Sequence, residues 1–115
     1  MIRIVNLRHK PVMRKNEVLI KIDRSSVLGN PFFMKSEDQR DIVCNQYEQY
    51  FGAIVQNWIE GCIIEKKNEK FVNELWRIGQ LSKTQDIALA CWCAPKRCHG
   101  ETIKDFIDMQ LKGDK

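Results

Sequence analysis

The sequence predicts a small α/β layered fold with a short, mainly parallel sheet flanked by helices. Three observations carry that expectation. Short β-rich segments alternate with longer stretches of helical period. Residues 86–93, Asp-Ile-Ala-Leu-Ala-Cys-Trp-Cys, are almost continuously apolar, which suits a central strand covered on both faces. A turn dense in cysteine and histidine then leads into a final helical segment.

Ile2, Ile4, Val5 and Leu7 form the first β-rich segment, with Arg3, Asn6 and Arg8 as its polar members, and Lys10-Pro11 breaks it. Glu17 to Asp23 reads as a second strand. Residues 24–32 carry turn chemistry, and Pro31 biases Asn30 away from helix. A long helix follows. Ser36-Glu37-Asp38-Gln39 matches a capping box, in which the Gln39 amide donates to the Ser36 hydroxyl and the Gln39 side chain reaches back. Ile42, Val43, Tyr47, Tyr50, Phe51, Ile54, Val55, Trp58 and Ile59 recur every three to four residues as a wide buried stripe. Gly61 suits the C-terminal cap. A second helix spans Asn68 to Gln80, burying Phe71, Val72, Leu75, Trp76 and Ile78. After the apolar strand, Glu101 to Lys112 forms the last helix, burying Ile103, Phe106, Ile107 and Leu111, with Gly113 as its stop.

A chain of 115 residues suits one domain over residues 1–115. No apolar run approaches the ~20 residues of a membrane span. The N-terminal segment lacks the pattern of a signal peptide, so a cytoplasmic location is expected. Thiols stay reduced there. Five cysteines cannot all pair within one chain, and Cys44 and Cys62 read as small buried hydrophobes. A net charge of +4 favours an anionic ligand. Lys and Arg are spread along the chain rather than gathered in a stripe, which argues against nucleic acid. Aromatic-rich helices beside a small sheet are compatible with a homo-oligomer.

Two loops stand out, residues 24–32 and 93–100. Both fall beyond the carboxyl ends of strands, where ligands bind in such sheets. The second contains Cys91-Trp92-Cys93 and Cys98-His99, and four readings of it remain open. Zinc would need Cys91, Cys93, Cys98 and His99 together, but the spacing is not a standard zinc knuckle. A nucleophile would be Cys98, its pKa lowered by the helix start and by Lys96 and Arg97, with His99 or His9 as base. An anion pocket would draw on amides at the helix start and on Arg side chains. The plain alternative is packed core, favoured for Cys91.

The pocket reading accounts for both loops. It assigns ligand binding to Arg8, Arg24, Ser25, Ser26, Gly29, Asn30, Pro31, Cys93, Arg97, Cys98, His99 and Gly100. Trp92 could stack on a base. Were the protein an enzyme, Cys98, His99 and Glu101 would carry the chemistry. No metal ligand and no cofactor is assigned.

The two motifs, Ser25-Ser26-Val27-Leu28-Gly29-Asn30-Pro31-Phe32 and Leu89 to Gly100, together with Val5-Asn6-Leu7-Arg8, resemble the Domain of Unknown Function 4326 family. Its members are small proteins of bacteria and their phages. The resemblance implies a Rossmann-like α/β domain with Gly29-Asn30-Pro31 and Cys98-His99 near one pocket. Proteins of related architecture bind nucleotides or nucleotide-derived signals. The expected function is therefore binding of a small nucleotide or nucleotide-derived ligand, as in a phage counter-defence protein sequestering a host signal in the host cytoplasm. The alternatives are an enzyme acting on a nucleotide and a zinc-stabilised interaction module. One departure from the family pattern is Asp23-Arg24, where a Gly-Arg pair is common.

Overall fold

The computed structural model describes residues 1–93 and 96–112. Three strands, β1 (Ile2–Asn6), β2 (Glu17–Lys21) and β3 (Asp86–Cys91), form one sheet in the order β1-β3-β2. Both pairings with β3 are parallel. Ile2 stands opposite Ile87 and Asn6 opposite Cys91 on one side; Glu17 stands opposite Asp86 and Lys21 opposite Ala90 on the other. The helices are α1 (Arg40–Ile59), α2 (Lys66–Leu81) and α3 (Gly100–Phe106), the last continuing as a π-helical turn over Ile107–Lys112. This is the α/β fold the sequence predicts, loosely Rossmann-like in its parallel strands and in the helices that link β2 to β3, with three strands among the described residues.

Alternation along the strands divides the interior in two. Ile87, Leu89 and Cys91, with Ile2, Ile20 and Ile22, face a large core that includes Tyr47, Phe51, Phe71, Leu75, Ile103 and Ile107 from the helical layer. Ala88 and Ala90 face the other way, packed with Val5, Leu7, Met13 and Leu19. The second face is thus covered largely by the segment joining β1 to β2 and not by a helix. Small alanines leave room for that segment. It is anchored by Arg3, whose guanidinium donates twice to the buried Glu17 carboxylate, at 2.8 Å each, and once to the Val12 carbonyl.

The helix ends follow from local chemistry. α1 closes in a Schellman motif: the Gly61 amide donates to the Trp58 carbonyl and the Cys62 amide to the Asn57 carbonyl. Gly61 adopts φ +75°, where a glycine carries no steric penalty. The capping box takes a different form from the expected one. A 3-10 turn, Glu37–Gln39, precedes α1, and the Gln39 amide donates to the Ser36 carbonyl instead of its hydroxyl. The Gln39 side chain does reach back, but accepts from the Lys35 amide.

The buried stripe of α1 is narrower than its sequence period suggests. Val43, Cys44, Tyr47, Phe51, Ile54 and Val55 are buried, whereas Ile42 and Ile59 are exposed. Trp76 is 49% exposed and Cys62 lies at the surface. A three-stranded sheet is too narrow to cover the flanks of this helical layer. Trp58 and Trp76 meet edge-on at its rim, ring centroids 6.2 Å apart. Leu111 and Gly113, given roles at the end of the last helix, lie outside what is described of side chains and backbone respectively. No helix among the described residues is long and apolar enough to cross a membrane.

Leu75 is fully buried in α2 and Ile63 is almost fully exposed. Leu75→Ala should destabilise the protein by ~2–5 kcal/mol, and Ile63→Ala by no more than ~0.5 kcal/mol. Urea denaturation measures both. Equal midpoints would remove α2 from the core.

Candidate functional site

Because β2 and β3 are parallel neighbours, their carboxyl ends share one edge of the sheet. The Ile22 amide donates to the Ala90 carbonyl at 2.9 Å, carrying the pairing one step past β2. The 24–32 and 93–100 loops then leave side by side.

The first loop is fixed mainly by its own backbone. Ser26 N–H donates to the Asp23 carbonyl and Gly29 N–H to the Ser26 carbonyl. A Cβ at Gly29 would stand 2.3 Å from the Asp23 carbonyl oxygen, so no larger residue fits without moving the loop. Asn30 Oδ1 accepts from the Phe32 amide across Pro31. The buried Tyr47 hydroxyl of α1 donates to the Leu28 carbonyl at 2.9 Å and holds the loop down.

The second loop is tied to the chain just past β2 through His99. Its Nε2 lies 2.6 Å from the Ile22 carbonyl. A carbonyl only accepts, so Nε2 carries the proton, and Nδ1 faces the Cys98 sulfur at 3.7 Å. The ring packs edge-on against Tyr47. Burial lowers the His99 pKa, against the opposing effect of the Ile22 bond, and keeps the ring neutral. This histidine is a strut between the second loop and the chain just past β2, with one nitrogen committed to the backbone.

Cys91, Cys93 and Cys98 bring their sulfurs within 4.8 Å of one another. Cys91 and Cys98 are buried, and Cys93 is half-buried. The Cys91 and Cys98 sulfurs are 2.9 Å apart. The three share protons unequally. Cys93 is held well below the ordinary thiol range by the Cys91 and Cys98 thiols, with the Arg40 guanidinium adding to the effect. Cys98 is pushed up by Cys91 and Cys93 and by burial. Of these two, Cys93 is therefore the easier to ionise. The sequence reading places the reactive thiol at Cys98; this electrostatic arrangement favours Cys93.

A cavity of about 520 Å³ opens beside this cluster. Of the expected binding residues, Arg24, Ser25, Asn30, Cys93, Arg97, Cys98 and His99 line it. Its apolar walls come from Phe32, Phe33, Met34, Val43 and Trp92, and Asp23 and Arg40 add polar groups. Trp92 is 53% exposed and donates from Nε1 to Asp23 Oδ2 at 3.2 Å. The Asp23 carboxyl is held below its usual range, first by the Ser25 hydroxyl and then, against burial, by that indole. Ser26, Gly29, Pro31 and Gly100 shape the loops without lining the cavity, and the exposed Glu101 lies outside it.

A second, more polar recess of about 380 Å³ shares Trp92, Cys93 and Arg40 with the first. Arg8 lines this recess, with His9, Lys96, Glu37 and Asn6. The arginines differ in availability. Arg97 is engaged by Asp41, Asn45 and Glu48 of α1 at 2.9–3.0 Å. Arg24 donates to the Phe32 carbonyl and covers the Phe33 ring. Arg40 pairs with Glu37 and donates to the Arg97 carbonyl. The Arg8 guanidinium has no hydrogen-bond partner among the described residues, although its amide donates to Asn6. The sequence reading missed Arg40 and Asp23. The spacing Glu37-x-x-Arg40 at a helix start was the available signal for Arg40.

A family model described as domain of unknown function (DUF4326) matches residues 5–109. No curated protein and no solved structure matches the chain.

The neutral burial of His99 makes stability depend on pH. Its native pKa lies below the unfolded value of about 6.5. As pH falls from about 6.5 toward the native pKa, the unfolded chain binds a proton that the native ring does not, so stability falls. His99→Gln keeps a donor for the Ile22 carbonyl and should flatten urea midpoints measured between about pH 7 and about pH 5. An unchanged slope in the variant would place its source elsewhere.

Proposed function

We propose that this chain, which belongs to the DUF4326 family, binds a nucleotide or nucleotide-derived molecule across the two recesses. The observation that carries this is their shared lining. Trp92, Cys93 and Arg40 line both a mainly apolar cavity and a polar recess that holds Arg8, whose guanidinium has no hydrogen-bond partner among the described residues. A flat ring suits the first, among Phe32, Phe33 and Trp92. A phosphate suits the second, near Arg8 and Lys96, where charge-assisted bonds are strong. The cavity volume is within the range of small-molecule sites. Asp23, which lines the cavity, would accept from a ring amine or ribose hydroxyl.

The reading favours holding the ligand over converting it. Cys98, the expected nucleophile, is buried and held above the ordinary thiol range by its neighbours and by burial, so little of it is thiolate at neutral pH. A protein that only holds such a ligand would sequester it, as a counter-defence protein acts on a signal. A chemical role would fall instead to Cys93.

Calorimetry with nucleoside monophosphates and their parent nucleosides tests this. Arg8→Ala should weaken the monophosphate about tenfold, ~1.4 kcal/mol, and leave the nucleoside unchanged. Trp92→Ala should weaken both. If no member of the panel binds, the proposal fails. Ligand recovered unchanged after denaturation supports a binder, and altered ligand with turnover makes the protein an enzyme.

A further inference from the structure

We infer that Cys91, Cys93 and Cys98 form a three-sulfur site for a thiophilic divalent cation, zinc before others, with its remaining position open to the cavity. The sequence reading assigns no metal, and the convergence of the three sulfurs is the reason to depart from it. They come from the end of β3, the loop after it and the turn before α3, and all lie within 4.8 Å of one another. Three donors and an exogenous fourth is the arrangement of zinc sites that keep an open position.

The surroundings suit sulfur anions. The Gly100 amide donates to the Cys98 sulfur at 3.3 Å and the Cys93 amide to the Cys91 sulfur at 3.5 Å. The Arg40 guanidinium lies beside Cys93. Backbone donors around ligating sulfurs are the kind of support that orients ligands and tunes a bound metal. Three thiolates and one divalent ion leave a single negative charge, which Arg40 is placed to balance. The donor set is soft, which disfavours magnesium and calcium. A cubane or binuclear iron–sulfur cluster takes four cysteines, one more than converge here.

Tetrahedral zinc with sulfur at ~2.3 Å sets sulfur–sulfur distances of about 3.8 Å. Cys91 and Cys98, at 2.9 Å, would have to separate by about 0.9 Å, a small side-chain rotation. Binding expels the thiol protons to solvent as the S–Zn bonds form. His99 stays outside the group of three mutually close sulfurs; its Nε2–H holds the Ile22 carbonyl, and its unprotonated Nδ1 faces the Cys98 sulfur at 3.7 Å. An ion held there meets whatever enters the cavity, yet it does not require a nucleotide to be bound.

The test is metal content of protein purified under reducing conditions and equilibrated with zinc alone. About one zinc per chain is expected, with a thiolate-to-metal absorption band after replacement by cobalt. Cys93→Ser, at a half-exposed position, should fold as judged by circular dichroism and lose the metal. Cys62→Ser, at a surface site remote in sequence, should keep it. Protein that stays free of zinc overturns the inference, as does Cys93→Ser retaining a full complement. A Cys91–Cys98 disulfide in the reduced preparation overturns it too. Nucleotide calorimetry on the metal-free protein reads the two proposals separately.

Discussion

β3 is hydrogen-bonded on both sides to strands that run in its own direction, and most of the molecule follows from that. Parallel neighbours cannot be joined by a tight turn. The link from β2 to β3 therefore passes through α1 and α2, whose apolar stripes fill the space over Ile87, Leu89 and Cys91. The link from β1 to β2 is short and irregular, and it lies against Ala88 and Ala90. Large residues face the helices and alanines face the segment. The same parallel order delivers the ends of β2 and β3 to one edge, so the two unusual loops meet.

Meeting alone does not make a site. The loops are held at a fixed separation by His99 on the Ile22 carbonyl and by Tyr47 on the Leu28 carbonyl. Tyr47 also packs against the His99 ring, so one residue of α1 supports both loops. This use of His99 has a chemical consequence. An imidazole bound to backbone through Nε2–H keeps Nδ1 as its one basic nitrogen, and that nitrogen faces the buried Cys98 sulfur.

The strands and helices were legible because their periods are undisturbed, and Gly61 marked the end of α1 at the residue. The exposed Ile42, Ile59 and Trp76 were not, because hydrophobic period reports which residues are apolar and not how wide the partner surface is. In the site, both loops and the cysteines were legible, since glycine, proline and clustered Cys/His carry local chemistry. The arginines were not. Arg97 sits beside Cys98 and looks like an anion ligand, yet Asp41, Asn45 and Glu48 lie along one face of α1 and engage it. Their spacing of four and three residues is visible in the sequence, but which loop they face is a tertiary fact.

The remaining distinction is between the two recesses. Had all the cations lined one cavity, a small inorganic anion would have sufficed as the ligand. Instead Arg24 and Arg97 line the apolar cavity, Arg40 lines both spaces, and Arg8, whose guanidinium has no hydrogen-bond partner among the described residues, lines the polar one. The proposed ligand, with an apolar end and a charged end, would suit both spaces. It would pass near Cys93, which lines both, is half-exposed and is held below the ordinary thiol range. The cysteine cluster and the binding surface are thus parts of one edge, and what the sulfur holds determines what a bound ligand meets there.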